Sequence, residues 1–82
     1  MRENAGYKII KGILLPNCEF VLGEKQSSSG TKYVTWRCVN FNDYYYGHYI
    51  ESLDAATRDL YERAKEEIEF ILNQMEANNN ET

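Results

Sequence analysis

The spacing of hydrophobic and polar residues divides the chain into a β-rich part and a helical part. Four segments are rich in β-branched and aromatic residues: 7–15, 18–25, 32–39 and 44–50. Residues typical of turns separate them, namely Pro16 with Asn17, the loop 26–31 and the stretch 40–43. Four strands with short connections favour an antiparallel meander.

From Leu53 onward the period lengthens to that of an α-helix. Apolar side chains recur every three or four positions, at 53, 56, 60, 64, 68, 71 and 75. Ser52 or Asp54 can cap the first turn. The pattern predicts an α+β fold of the order ββββα, in which a four-stranded antiparallel β-meander is followed by one long C-terminal helix packed on one face. The predicted organisation is an N-terminal tail (1–6), a single domain (7–76) and a disordered C-terminal tail (77–82).

We expect a single in–out alternation to run through all four strands. A hairpin centred near Ser28 pairs Phe20 with Trp36, and the next turn places Trp36 over Gly47, a small residue that a large ring can cover. One face then meets the helix through these residues: Ile9, Ile13, Leu15, Cys18, Phe20, Leu22, Val34, Trp36, Cys38, Tyr45 and Tyr49.

The opposite face is predicted to be exposed and unusually aromatic. Tyrosine and arginine are common anchors of protein interfaces, and they also suit stacking on unpaired bases. The alternative is that these tyrosines reflect the β-propensity of the residue and that half of them belong to the core. The candidate binding residues are Tyr33, Arg37, Tyr44, Tyr46 and His48.

The predicted helix is longer than the strands beside it. A helix over 53–76 spans about 35 Å, whereas strands of seven or eight residues span about 25 Å. Phe70, Ile71 and Met75 would therefore project beyond the sheet. A homodimer is the simplest way to bury this apolar surface, and these three residues are its predicted contacts.

Charge is unevenly distributed along the 82 residues, whose net charge is −4. Residues 1–42 carry six basic and three acidic side chains, whereas 43–82 carry three basic and ten acidic ones. The acidic helix is either a solvated surface or a mimic of a phosphate row.

Little in the sequence favours catalysis or metal binding. Cys18, Cys38 and one histidine cannot supply the four ligands of a structural zinc site, so no metal and no cofactor are predicted. His48 has no partner in a recognisable nucleophile motif, and an enzyme is not expected. No apolar run has the length of a signal peptide or a membrane span, which predicts a cytoplasmic protein with reduced thiols.

Three short features carry a resemblance to known proteins. They are Val34-Thr35-Trp36, the segment 44–49 (YYYGHY), and the helix from Leu53. In these the chain resembles a group of small proteins from conjugative elements and phages of gut Gram-positive bacteria. The group has no assigned activity, so the resemblance implies a β-rich start and a closing helix but no catalytic residues.

The predicted function is a non-enzymatic macromolecular interaction module, an accessory protein of a mobile element that binds through the aromatic sheet face or the projecting helix. Two alternatives remain open. One is a single-stranded nucleic-acid-binding protein that uses the basic, aromatic sheet. The other is an acidic DNA mimic that inhibits a nucleic-acid-binding protein. The expected partners are a second copy of the chain and either a protein or single-stranded nucleic acid.

Overall fold

The computed structural model describes residues 2–80, which form one curled antiparallel sheet followed by one helix. The strands lie in chain order in the sheet, each beside the next. The predicted α+β class is confirmed, although the sheet has five strands and not four. In chain order the elements are β1 (Glu3–Asn4), β2 (Tyr7–Leu14), β3 (Glu19–Ser27), β4 (Gly30–Val39), β5 (Asp43–Ile50) and α1 (Leu53–Asn80).

Both ends of the domain differ from the predicted boundaries. The additional strand β1 falls in the predicted N-terminal tail and pairs with the start of β2 through a tight turn. Ala5 and Gly6 occupy this turn with φ of 53° and 85°, values that suit a two-residue hairpin. At the other end, α1 continues to Asn80 and not to about residue 76. Residues 81 and 82 of the predicted C-terminal tail lie outside the described residues.

The register of the β3–β4 hairpin corrects the predicted alternation. Ser27 pairs with Gly30, so Phe20 lies opposite Arg37 and Val21 lies opposite Trp36. This is one residue away from the predicted pairing, and a shift of one residue moves every side chain of a strand to the other face. Val34, Trp36 and Cys38 of β4 were therefore wrongly predicted to face the helix. They lie on the face of the sheet away from α1.

The first of two cores lies between the sheet and α1. Phe20 and Leu22 of β3 are buried against Leu60 of the helix. Ala56 and Ala64, one turn to either side of Leu60, are small enough to bring the helix close to the sheet. The half-buried side chains that complete this core are Ile13, Leu15, Tyr33 and Ile50.

The second core lies on the other face and is enclosed by the curl of the sheet. Five strands spaced by about 4.8 Å would place the outer two of a flat sheet about 19 Å apart. In contrast, the Arg2 guanidinium beside β1 lies 5.8 Å from the centroid of the Tyr44 ring of β5. The sheet therefore wraps around the residues Tyr7, Val21, Val34, Trp36 and Cys38.

A β-bulge in β5 fits Trp36 against the neighbouring strand. Thr35 pairs with His48 and Arg37 pairs with Tyr45, so both Tyr46 and Gly47 lie opposite Trp36. A Cβ atom on Gly47 would lie 2.8 Å from Trp36 Nε1, which means that the indole ring covers the glycine as predicted.

The two cysteines are buried and reduced. Cys18 belongs to the core under the helix and Cys38 to the second core, so the prediction that they share a face is wrong. Burial raises the pKa of both thiols. Side chains directed to opposite faces of a sheet cannot form a disulfide without backbone movement.

Candidate binding cleft between the helix and the sheet

The five residues predicted to form an exposed aromatic face do not share one surface. Tyr33, Arg37 and His48 lie on the side of the sheet that faces the helix. Tyr44 packs into the second core. Tyr46 alone is strongly exposed, at 76% of its surface. The predicted surface was wrong in its placement because the register of β4 differs by one residue and because the bulge in β5 alters the alternation again.

A polar seam of Thr35, His48, Asp59 and Arg63 joins the sheet to the helix. The Thr35 hydroxyl, which is fully buried, donates a hydrogen bond of 2.5 Å to Asp59 Oδ2. Arg63 Nη1 donates to the Thr35 carbonyl and hydroxyl oxygens at 3.0 and 3.1 Å. His48 Nδ1 lies 2.9 Å from Asp59 Oδ2 and carries the hydrogen, because an ionised carboxylate only accepts. These bonds fix the position of α1 on the sheet.

The His48–Asp59 pair is the one feature of the seam with a catalytic counterpart. A carboxylate that orients a histidine occurs in many hydrolytic sites, where the free ring nitrogen acts on a nucleophile. Here, however, the Thr35 hydroxyl donates to Asp59 and not to His48. Among the described side chains, Asp59 is the only hydrogen-bond partner of His48. The seam therefore has the geometry of a structural contact.

An ion pair closes the seam where the helix reaches the end of the sheet. Arg37 Nη1 lies 2.9 Å from Glu67 Oε1, and Asn17 Nδ2 donates to Glu67 Oε2 at 2.9 Å. The hydrogen bond from Asn17, followed by the bond and charge of Arg37, lowers the pKa of Glu67. In return, the hydrogen bond to Glu67 raises the pKa of Arg37. The pair ties β4 and the β2–β3 turn to the middle of α1.

The Glu67 ion pair predicts a loss of stability in acid. A carboxylate whose pKa is lowered by folding stabilises the protein above its unfolded value, about 4.3, and this contribution is lost as the pH falls through the folded value. Glu67→Gln should cost about 1.5 kcal/mol at pH 7, since its side chain is only 11% exposed, and should cost progressively less below pH 4. Urea denaturation between about pH 7 and 3 measures this. Equal losses at both ends of the range would contradict it.

Beside this ion pair lies an open cleft of about 560 Å³ between β4, β5 and the helix. Its floor is the buried Phe20 ring, with the guanidinium carbons of Arg37 and Arg63 at 5.8 and 5.5 Å from the ring centroid. Its walls are the exposed rings of Tyr46 and Phe70, one from each side. The cleft therefore combines cationic groups and accessible aromatic surface.

The charges in the cleft are nearly balanced. Arg37 is paired with Glu67, and Glu66 lies on the rim. Arg63 has no carboxylate oxygen within 4.0 Å among the residues from 2 to 80, and burial lowers the pKa of its guanidinium. Of the two cleft arginines, Arg63 is the one without an ion-pair partner among the described residues.

Comparison with known proteins adds nothing to this geometry. No protein-family model, curated protein or solved structure matches the chain. Within the described part of the chain, no group of three or more potential ligands could hold a metal ion. The helix there also lacks the continuous apolar stretch that crossing a membrane requires.

The segment 68–77 of the helix, here called the helix end, extends past the ion pair. Of the predicted dimer residues, Phe70 and Met75 are exposed, and Ile71 is half-buried. Ile68 and Leu72 add further exposed apolar surface. The long axis of the molecule, 58 Å, reflects this projection.

Three residues that position the cleft were missed in the sequence. Asp59, Arg63 and Glu67 follow one another at four-residue intervals and so share one side of the helix, next to the apolar stripe. Alternating charge immediately beside a buried stripe is the signal that could have placed them against polar residues of the sheet.

Proposed function

We propose that this protein is a non-enzymatic interaction module that binds a protein partner in the cleft, as an accessory protein of a mobile element. The composition of the cleft supports a protein partner. Aromatic residues and arginine are enriched at the centres of protein interfaces, where a few of them supply most of the binding energy. Tyr46 and Phe70 present such groups on opposite walls, above two arginines.

The placement of Tyr46 is the observation that carries the proposal. Its φ of 54° lies in the left-handed region, which costs a bulky residue about 1–3 kcal/mol. The bulge at this position directs the ring toward the helix side, where it stays exposed. Bulges commonly redirect a side chain next to a functional site. Because the Tyr46 ring stays exposed, burial of this side chain does not offset the backbone strain, which supports a role in binding.

The distribution of basic residues supports a protein partner over single-stranded nucleic acid. The basic, aromatic surface required for nucleic acid would use Lys8, Lys25 and Arg37 together. Arg37 is instead paired with Glu67 under the helix, whereas the Lys25 ammonium lies 5.6 Å from the Tyr7 ring in the other core. Because Glu67 occupies Arg37, the cleft offers one arginine without an ion-pair partner, whereas a nucleic-acid strand requires several cations along its phosphates.

The acidic helix gives similarly limited support to a DNA mimic. Asp59 and Glu67 are engaged by the sheet, and Arg58 and Lys65 interrupt the row of exposed acids. A mimic of a phosphate row would need a continuous series of free carboxylates.

Replacing Tyr46 by asparagine should separate binding from folding. Asparagine tolerates a positive φ better than tyrosine, so the stability of Tyr46→Asn should equal that of the wild type or exceed it by up to about 1 kcal/mol. Partner binding should fall by about tenfold or more, because one wall of the cleft is removed. Urea denaturation and the cross-linking described next measure the two effects.

A photoreactive benzophenone amino acid in place of Phe70 tests the site in cells. We expect a discrete protein adduct that disappears when Tyr46→Asn is added. The matched control carries the same group in place of Tyr61, an exposed aromatic residue on the same helix but outside the cleft. Adducts that are equal at both positions, or that persist in Tyr46→Asn, would refute the cleft as the binding site.

A further inference from the structure

We infer that the occupant of the cleft is the helix end of a second copy of this chain, so that two copies exchange helix ends. This inference rests on the proposed function, because it names the partner of the same cleft. The helix end carries both acidic and exposed apolar side chains, and it lies beside a cleft with two arginines and two aromatic walls. This juxtaposition carries the inference.

The helix end leaves apolar surface uncovered in a single copy. It continues the 28-residue helix α1 past the residues that pack on the sheet. Among the described residues, no side chain of the helix end forms a hydrogen bond or an ion pair with the sheet. Glu69 pairs with Lys65 of the same helix. No basic side chain lies in the last turn to offset the partial charge of the helix terminus. Exposed apolar side chains are left along it: Ile68, Phe70, Leu72 and Met75.

The exposed side chains of the helix end form a docking face. Ile68, Leu72 and Met75 follow one another at intervals of four and three residues, which is the anchor spacing of helices that bind in grooves. Glu69 and Glu76 lie along one edge of this stripe, seven residues apart, on the same side of the helix. The docking face is thus an apolar stripe bordered by two carboxylates.

The docking face offers a carboxylate to the one arginine of the cleft that has no ion-pair partner in its own copy. Beyond Lys65 the described part of the helix contains acidic residues and no basic ones. Arg63 in the cleft lacks a carboxylate within 4.0 Å in its own copy, as described above, and Glu69 or Glu76 of a second copy would supply one. Charge complementarity of this kind selects and orients the partner.

Reciprocal exchange also explains how so short a segment could bind. In a two-fold dimer each surface is used twice, so one helix end enters the cleft of the other copy while its own cleft is filled in return. The buried area is then double that of a single contact. Because both clefts are filled in the dimer, no cleft remains free to bind a third copy.

Sedimentation of the full chain with two different variants tests this exchange. Tyr46→Asn damages the cleft, and Leu72→Glu damages the docking face at an exposed position where the fold does not depend on the side chain. We expect the wild type to dimerise between about 5 and 500 μM and each variant alone to associate at least about tenfold more weakly. A mixture of the two should associate no more tightly than either variant alone, because the mixed dimer retains only one of the two reciprocal contacts.

The control and the contrary results are equally specific. Ala55→Glu introduces a charge at an exposed position in the first turn of the same helix, away from the docking face and the cleft, and should leave the dimer intact. A monomeric wild type, or a Tyr46→Asn or Leu72→Glu variant that dimerises as tightly as the wild type, would overturn the exchange. A monomeric wild type that still forms a heterologous Phe70 adduct rejects the second copy while the proposed function stands. Absence of every adduct would reject both.

Discussion

Trp36→Ala is expected to leave the protein largely unfolded at room temperature. Trp36 is 4% exposed and contacts the Tyr7 ring edge-on, with centroids 5.7 Å apart. Its ring also covers the bare backbone of Gly47. Truncation of a buried tryptophan costs about 3–5 kcal/mol, which is most of the roughly 5 kcal/mol that a domain of this size possesses.

Circular dichroism during urea denaturation measures the effect of Trp36→Ala without relying on indole fluorescence. Tyr61→Ala, at an exposed aromatic position, is the matched control and should stay within about 0.5 kcal/mol of the wild type. If Trp36→Ala lost no more stability than this control, the assignment of Trp36 to a second core enclosed by the curled sheet would be wrong.

The sequence predicted the elements of this fold because their signals are local. The helix begins at Leu53 as expected, and the Ala55 amide donates to the Ser52 hydroxyl at 3.0 Å, which confirms one of the two predicted caps. The helical stripe also depends only on residues three or four apart. The second strand likewise ends before Pro16, whose ring cannot continue a strand ladder.

The register of the strands could not be predicted from the sequence, and the reason is physical. Residues 20–22 are apolar on consecutive positions, so either alternation buries part of β3 under the helix. The loop 26–31 is made of small polar residues, and nothing in it distinguishes a turn at Ser28 and Ser29 from one centred half a residue earlier. The bulges in β2 and β5 add two further changes of alternation that depend on packing between distant segments.

Composition therefore identified useful residue types but not the site that they form. Arg37, Tyr46 and Phe70 were predicted as binding or dimer residues on two separate surfaces, and the structure places all three around one cleft. Phe20 was assigned only to the core, and Arg63 was not singled out in the sequence. Their role in the cleft depends on a contact between β3 and α1 that no local pattern encodes.

Phe20→Ala should combine a large loss of stability with loss of the cleft. The Phe20 ring is buried in the core under the helix and also lies beneath both guanidinium groups of the cleft. Removal of the ring costs about 3–5 kcal/mol through the cavity that it leaves. Each cation–π contact adds about 0.5–2 kcal/mol, according to its exposure. Urea denaturation should show a variant that is folded only at low temperature or not at all.

Phe20→Leu separates these two contributions. Leucine retains apolar packing in the core, so the stability should fall by less than about 1.5 kcal/mol beyond the lost cation–π energy. The guanidinium groups of Arg37 and Arg63 lose the aromatic face that holds them, and association through the cleft should weaken although the domain remains folded. A Phe20→Leu variant that dimerises like the wild type would mean that the Arg37–Glu67 ion pair and the hydrogen bonds from Arg63 to Thr35 position the two guanidinium groups without help from the ring. The cleft would then be an extension of the polar seam, with an aromatic floor that serves stability alone.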